Sequence, residues 1–235
     1  MTRIALLIPA YQPTDALVTV VSQVVAQTSN PFDVIVVVDD GSDQRCAPVF
    51  AAVAQHARAT VLARPRNEGK GASLRFGCGW LLQARSDLLG IVTADADGQH
   101  LPPDIVRVGR ALLHDPDAVV LGVRSFDRGV PLRSRLGNLA TRRLIAWRTG
   151  VTLQDTQTGL RGWPRRCCER NLSIGGDRYE HETAALLTAL AAHDRIVEVP
   201  IATVYEEGNR TSHFRPLRDS VRIYACLLAN INQRM

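Results

Sequence analysis

The run Val34-Ile35-Val36-Val37-Val38, closed by Asp39, constrains this chain more than any other feature. β-branched side chains pack well on a pleated surface, and an uninterrupted apolar run suits a strand buried on both faces. Similar runs recur at residues 4–8, 60–63, 88–94 and 118–123. Between them, residues 15–27, 47–57, 70–84 and 102–114 read as amphipathic helices, the last opened by Pro102 and Pro103. This alternation predicts an α/β fold: a mostly parallel, Rossmann-like sheet flanked by helices in a single domain. At 235 residues the chain is long enough for such a core, and no repeat or Gly/Ser linker divides it.

In sheets of this kind ligands gather at the carboxyl ends of the strands. Polar clusters stand at three such ends: Pro9-Ala10-Tyr11, Asp39-Asp40-Gly41-Ser42 and Asp95-Ala96-Asp97. Together they predict one pocket. Two carboxylates emerging from a buried strand need a counter-charge, and hard oxygen ligands suit Mg²⁺ or Mn²⁺. The competing reading of Asp97-Gly98 is an ordinary solvated turn. Asn67-Glu68-Gly69-Lys70-Gly71 has neither P-loop spacing nor the dinucleotide fingerprint. It still places a cation and free N–H groups at a helix start, which favours an anion; a plain loop is the alternative.

Composition narrows the class further. The net charge is +5, and every basic residue except Lys70 is arginine, which grips phosphates and carboxylates bidentately. Cys46, Cys78, Cys167, Cys168 and Cys226 form no CxxC pair, so a reducing compartment is expected rather than a disulfide framework or a structural zinc. No apolar stretch approaches the ~18 residues of a membrane span; the richest, residues 223–231, is short and contains Asn230. A cytoplasmic chain is expected.

In order and at consistent spacing, the clusters above are joined by Gln99-His100, Gly122-Val123-Arg124, Asp155-Thr156-Gln157-Thr158-Gly159-Leu160-Arg161 and Tyr179-Glu180-His181-Glu182. This set resembles the family 2 glycosyltransferases of GT-A fold, in particular the branch of dolichyl-phosphate mannose synthase and bacterial polyprenyl-phosphate glycosyltransferases. The chain departs from many relatives at Gln12-Pro13, where they carry Asn-Glu.

The resemblance implies an inverting, metal-dependent hexosyltransferase that takes a UDP- or GDP-sugar. Residues 1–122 would form the nucleotide-sugar and metal half, and residues 123–235 the acceptor half. Pro9, Ala10, Tyr11, Asp39, Lys70, Asp95, Ala96 and Asp97 would bind the nucleotide sugar, and Asp95, Asp97 and Gln99 would hold Mg²⁺ or Mn²⁺. Asp97 and Asp155 would be the catalytic carboxylates, Asp155 holding sugar hydroxyls, assisting deprotonation or merely capping its loop. Arg161, Glu180, Arg210 and His213 would touch the sugar or form a flap; for Glu180 and Glu182 the alternative is simply to favour a helix dipole.

The implied acceptor is a polyprenyl phosphate gripped by Arg124, Arg133 and Arg135. Residues 132–148 would lie on the cytoplasmic membrane face as a basic amphipathic helix, with Leu132, Leu136, Leu139, Ala140 and Trp147 on one side. An ordinary core-packing helix with a solvated basic back is the alternative. Without a spanning segment, either the protein docks peripherally, with a separate membrane protein as partner, or its acceptor is a soluble glycan or protein. A non-catalytic nucleotide-sugar-binding protein is the remaining class; no nucleic-acid partner is expected.

Overall fold

The computed structural model describes residues 3–124 and 132–202. Seven strands, β1 (Arg3–Ala10), β2 (Phe32–Asp39), β3 (Ala59–Ala63), β4 (Leu88–Thr93), β5 (Val119–Arg124), β6 (Arg161–Pro164) and β7 (Ile196–Ile201), form one sheet in the order β3-β2-β1-β4-β6-β5-β7. Pairing is parallel except at β6, which runs antiparallel between β4 and β5. The expected mostly parallel α/β architecture of GT-A type is what the chain adopts.

Helices cover both faces because the strand residues alternate between two apolar layers. Ile4, Leu6 and Ile8 of β1 and Ile35 and Val37 of β2 meet α1 (Asp15–Ala26), α2 (Ala47–Ala54) and α4 (Pro102–His114). On the opposite face Leu7, Val36 and Val38 meet α3 (Lys70–Ala84), α6 (Arg165–Asn171) and α7 (Glu180–Ala191). Truncating a side chain such as Leu7, 1% exposed, to alanine would cost about 2–5 kcal/mol. The sheet is therefore a rigid platform, and the loops leaving its carboxyl ends inherit that rigidity.

Helix α5 (Leu132–Thr149) packs one face against the body of the molecule. Leu139 and Trp147 are exposed, whereas Asn138, Thr141 and Ile145 are buried. Two of those buried residues are polar because they bond the loop beneath. The Asn138 amide donates to the Gln154 carbonyl at 3.3 Å and accepts from the Thr156 N–H at 3.2 Å. Thr141 Oγ1 accepts from the Gln157 amide at 3.3 Å, and Arg142 Nε donates to the Leu153 carbonyl at 2.6 Å. That face of the helix is a brace for residues 153–157, in line with the alternative of a helix packed on the core with a solvated back. No described helix is long and apolar enough to cross a membrane.

Candidate active site

A cleft of about 510 Å³ opens over the carboxyl ends of β1 and β4. Pro9, Ala10 and Tyr11 leave β1 to form one wall, and Asp95, Ala96 and Asp97 leave β4 to form the floor. Lys70, Arg178 and Tyr179 close the far side. Of the nucleotide-sugar residues expected from sequence, all but Asp39 line this space. Asp39 ends β2 and its Oδ1 accepts the Ser42 N–H at 2.8 Å. Its neighbour Asp40 reaches the cleft instead.

Asp40 is 2% exposed and organises the loop before α3. It accepts from Arg64 Nη1 and from the Gly69 N–H, each at 2.7 Å, and from the Glu68 N–H at 3.2 Å. Gly69 (φ +109°) makes that turn; a Cβ there would meet the Asp177 carbonyl oxygen at 2.4 Å. The loop thereby delivers Lys70, the first residue of α3, to the cleft. In sequence Asp40 is only one member of the strand-end cluster Asp39-Asp40-Gly41-Ser42; the latch depends on a loop 29 residues further on.

Lys70 Nζ lies 2.5 Å from Asp95 Oδ1 and 2.7 Å from Glu182 Oε2, with the Tyr179 ring centroid 5.8 Å away. Burial opposes charge on Lys70 and Asp95, but their mutual attraction outweighs it. The Lys70 ammonium is held above its ordinary range, and Asp95 is drawn down to about 2 by Lys70 and His100. The Asp95 N–H donates to His100 Nδ1 at 3.1 Å, and burial keeps that imidazole neutral-leaning. Asp97 behaves oppositely: burial and the Asp95 charge push its carboxyl up, only partly offset by the Gln99 N–H at 3.0 Å.

This donor set fits a divalent cation. Two neighbouring carboxylates, one of them under-compensated, face a cleft wide enough for a diphosphate. Among the described residues no three acid, His or Cys side chains cluster as a closed metal cage. Mg²⁺ and Mn²⁺ are commonly held by one or two carboxylates, with water and substrate phosphates completing the shell. Asp97 and Asp95 would be the protein ligands, with Gln99 on the same Gly98 turn (φ +81°).

The motif at residues 155–161 is largely buried. Asp155 is fully buried and receives Arg124 through Nε at 2.6 Å and Nη2 at 3.1 Å, besides the Gln157 N–H at 3.0 Å. Asp155 thus anchors its loop, as its loop-capping alternative has it, and in this structure the Arg124 fork is directed at Asp155. Arg161, 2% exposed, donates to the carbonyls of Thr158 (2.8 Å), Glu182 (2.6 Å) and Thr156 (3.1 Å). It ties β6 to α7. Glu180 Oε1 accepts the Arg178 N–H at 3.3 Å at the start of α7, while Glu182, two residues on, enters the cleft network. Arg133 and Arg135 fall at the start of α5; Arg210 and His213 lie outside the described residues.

Residues 5–166 match the sequence model of the family described as Glycosyl transferase family 2. The chain belongs to that family. This family 2 member is 30% identical over 178 residues to an uncharacterized protein of Methanocaldococcus jannaschii, spanning 74% of this chain and 71% of that one. It is 28% identical over 222 residues to a UDP-N-acetylglucosamine–dolichyl-phosphate N-acetylglucosaminyltransferase of Methanococcus voltae, spanning 87% and 86% of the two chains. Among solved structures it superposes on glucosyl-3-phosphoglycerate synthase of Mycobacterium tuberculosis with Mn²⁺, UDP and phosphoglyceric acid, with a TM-score of 0.73 at 19% identity over 97% of this chain and 78% of that one. A second structure of that synthase, with Mg²⁺ and UDP, matches with a TM-score of 0.68 at 20% identity over 98% and 80%. The expectation of Mg²⁺ or Mn²⁺ agrees with the ions in these structures. The expected polyprenyl-phosphate branch does not: the fold-level matches are to an enzyme crystallised with phosphoglyceric acid, and no described helix is long and apolar enough to cross a membrane.

Proposed function

We propose that this chain transfers a hexosyl group from a UDP-sugar to a soluble acceptor, in a reducing, cytoplasmic setting. The observation that carries this reading is the cleft itself, where the Pro9-Ala10-Tyr11 wall, Lys70 and the Asp95/Asp97 pair converge at the carboxyl end of the sheet. The wall accommodates the base and ribose. A divalent ion, when bound, neutralises the negative charge that builds on the departing diphosphate. Asp97, less stabilised as an anion than Asp95, gains most from that ion. Lys70 and His100 hold Asp95 in place, and the Asp40 latch fixes Lys70, so the carboxylates are positioned before substrate arrives. Tyr179 and Arg178 border the side from which an acceptor would enter. The four described cysteines are all free and buried, as a reducing compartment requires.

The test is a donor and acceptor matrix on the purified chain with Mn²⁺ or Mg²⁺. Donors would be UDP-glucose, UDP-N-acetylglucosamine and GDP-mannose; acceptors would be phosphorylated three-carbon acids, free sugars and a short polyprenyl phosphate in detergent. Metal-dependent UDP release with a soluble glycosylated product of the expected mass supports the reading. Product formed on the lipid alone, or UDP-sugar binding with no turnover over the whole panel, overturns it.

A further inference from the structure

Lys70 is shared by two carboxylates, and only one of them belongs to the pair suited to a metal. Asp95 Oδ1 and Glu182 Oε2 both lie within hydrogen-bond distance of Nζ, at 2.5 and 2.7 Å. The three side chains are largely buried, exposing 15%, 29% and 12% for Lys70, Asp95 and Glu182. Glu182 also keeps capacity in reserve: its Oε1 is buried and has no hydrogen-bond partner among the described residues. With Asp97 included, one ammonium faces three carboxylates, leaving two negative charges, the charge of a single divalent ion. We infer that Glu182 is a second seat for Lys70: the ammonium gives up Asp95 and settles on Glu182 when a divalent cation takes the Asp95/Asp97 pair, so that Glu182 sets the affinity of the metal site without touching the metal.

The geometry supports the exchange. Both acceptors already contact Nζ, so a small rotation of the Lys70 side chain suffices, and α3 and α7 need not move. Without Glu182, release of Asp95 would strand a buried ammonium, which is strongly unfavourable. Glu182 is therefore a positioning residue. The inference rests on the metal-dependent reading above.

Lys70 is the only lysine in the sequence, which gives a direct readout. With lysine ¹³C-labelled in the full chain, one Cε resonance reports its environment during a Mg²⁺ titration in the presence of UDP. A saturable shift in the wild type, lost or reduced severalfold in Glu182→Gln, is the expected result. In parallel, Mn²⁺ affinity would be read by electron paramagnetic resonance for the wild type, Glu182→Gln, Lys70→Gln and the double variant. Glu182→Gln should weaken Mn²⁺ binding roughly tenfold, the scale of one unit charge acting at short range in a partly buried site. Lys70→Gln should tighten it, and in that background Glu182→Gln should add no weakening. An unmoved Cε signal in a protein that binds Mg²⁺, or equal weakening by Glu182→Gln with and without Lys70, overturns the exchange. Transferase assays on the same samples separate this from the functional reading: transfer without the Lys70 shift sinks the exchange alone, and the shift without transfer sinks the functional reading alone.

Discussion

The Asp95 carboxylate lies directly over the Cα of Gly159, so that a Cβ at residue 159 would stand 2.4 Å from Asp95 Oδ2. The turn after Asp155 thus leaves room for the first cleft carboxylate, and two distant sequence motifs become one structural unit. In Gly159→Ala the neighbour that gives way is a side-chain end, so the fold should survive while Asp95 is displaced. We expect a loss of transfer of about 100-fold, as misplacement of a positioned group by about 1 Å can produce. A thermal melt within a few degrees of wild type should accompany it. Full activity in this variant would show that Asp95 position is not limiting.

Asp97 separates activity from stability. Its carboxyl is pushed up by burial and by Asp95, so the ionised group is not a net asset to the empty fold. Asp97→Ala should leave the melting temperature unchanged or slightly raised, while transfer and Mn²⁺ binding fall by about 100-fold or more, a loss typical of removing one electrostatic stabiliser. A variant that melts far lower would contradict this account of its burial.

Arg161 should behave in the reverse way. Its guanidinium satisfies three backbone carbonyls, and Arg161→Met would orphan them in the interior. Destabilisation of about 3–5 kcal/mol is expected, read by denaturant unfolding. Normal stability with lost activity would instead restore a sugar-contacting role.

His181 supplies a pH dependence. Burial and the nearby Arg75, whose Nη1 sits 3.3 Å from Nδ1, hold its pKa below 6.5, despite the opposing charge of Glu182. A histidine with a depressed folded pKa takes up protons more readily unfolded, so stability is intact above pH 6.5 and declines as pH falls below it. The melting temperature should drop between pH 7.5 and 5.5, and His181→Gln should flatten part of that slope. Identical slopes in both proteins would remove His181 from the explanation.

Much of the platform was legible in the chain. Helices 70–84 and 102–114 were read with the bounds they adopt, because a glycine turn precedes one and a proline pair opens the other. The three strand-end clusters marked the cleft for the same reason: strong β runs stop abruptly at polar residues. Strand β6 escaped notice since Arg-Gly-Trp-Pro carries no alternation, and its place is set by pairing on both sides. That Glu182 pairs with Lys70 was not legible, because sequence cannot show that α7 packs beside the start of α3. The helix at 132–149 misled for a more general reason. The face it buries carries Asn138 and Thr141 beside Ile145, while Leu139 and Trp147 stay outside, and polar side chains are buried there only because the loop at 153–157 offers them partners.

The antiparallel insertion of β6 has a consequence for how such an enzyme can be altered. Its pairing partners β4 and β5 both precede residue 125, so the sheet built by the first half of the chain is completed by a strand from its later portion. A cut just after β5, near residue 125, would leave β4 and β5 with open inner edges, and grafting another later portion would have to restore that wedge in register. Exchange of acceptor preference is therefore better sought by altering loops around a retained β6 than by swapping halves.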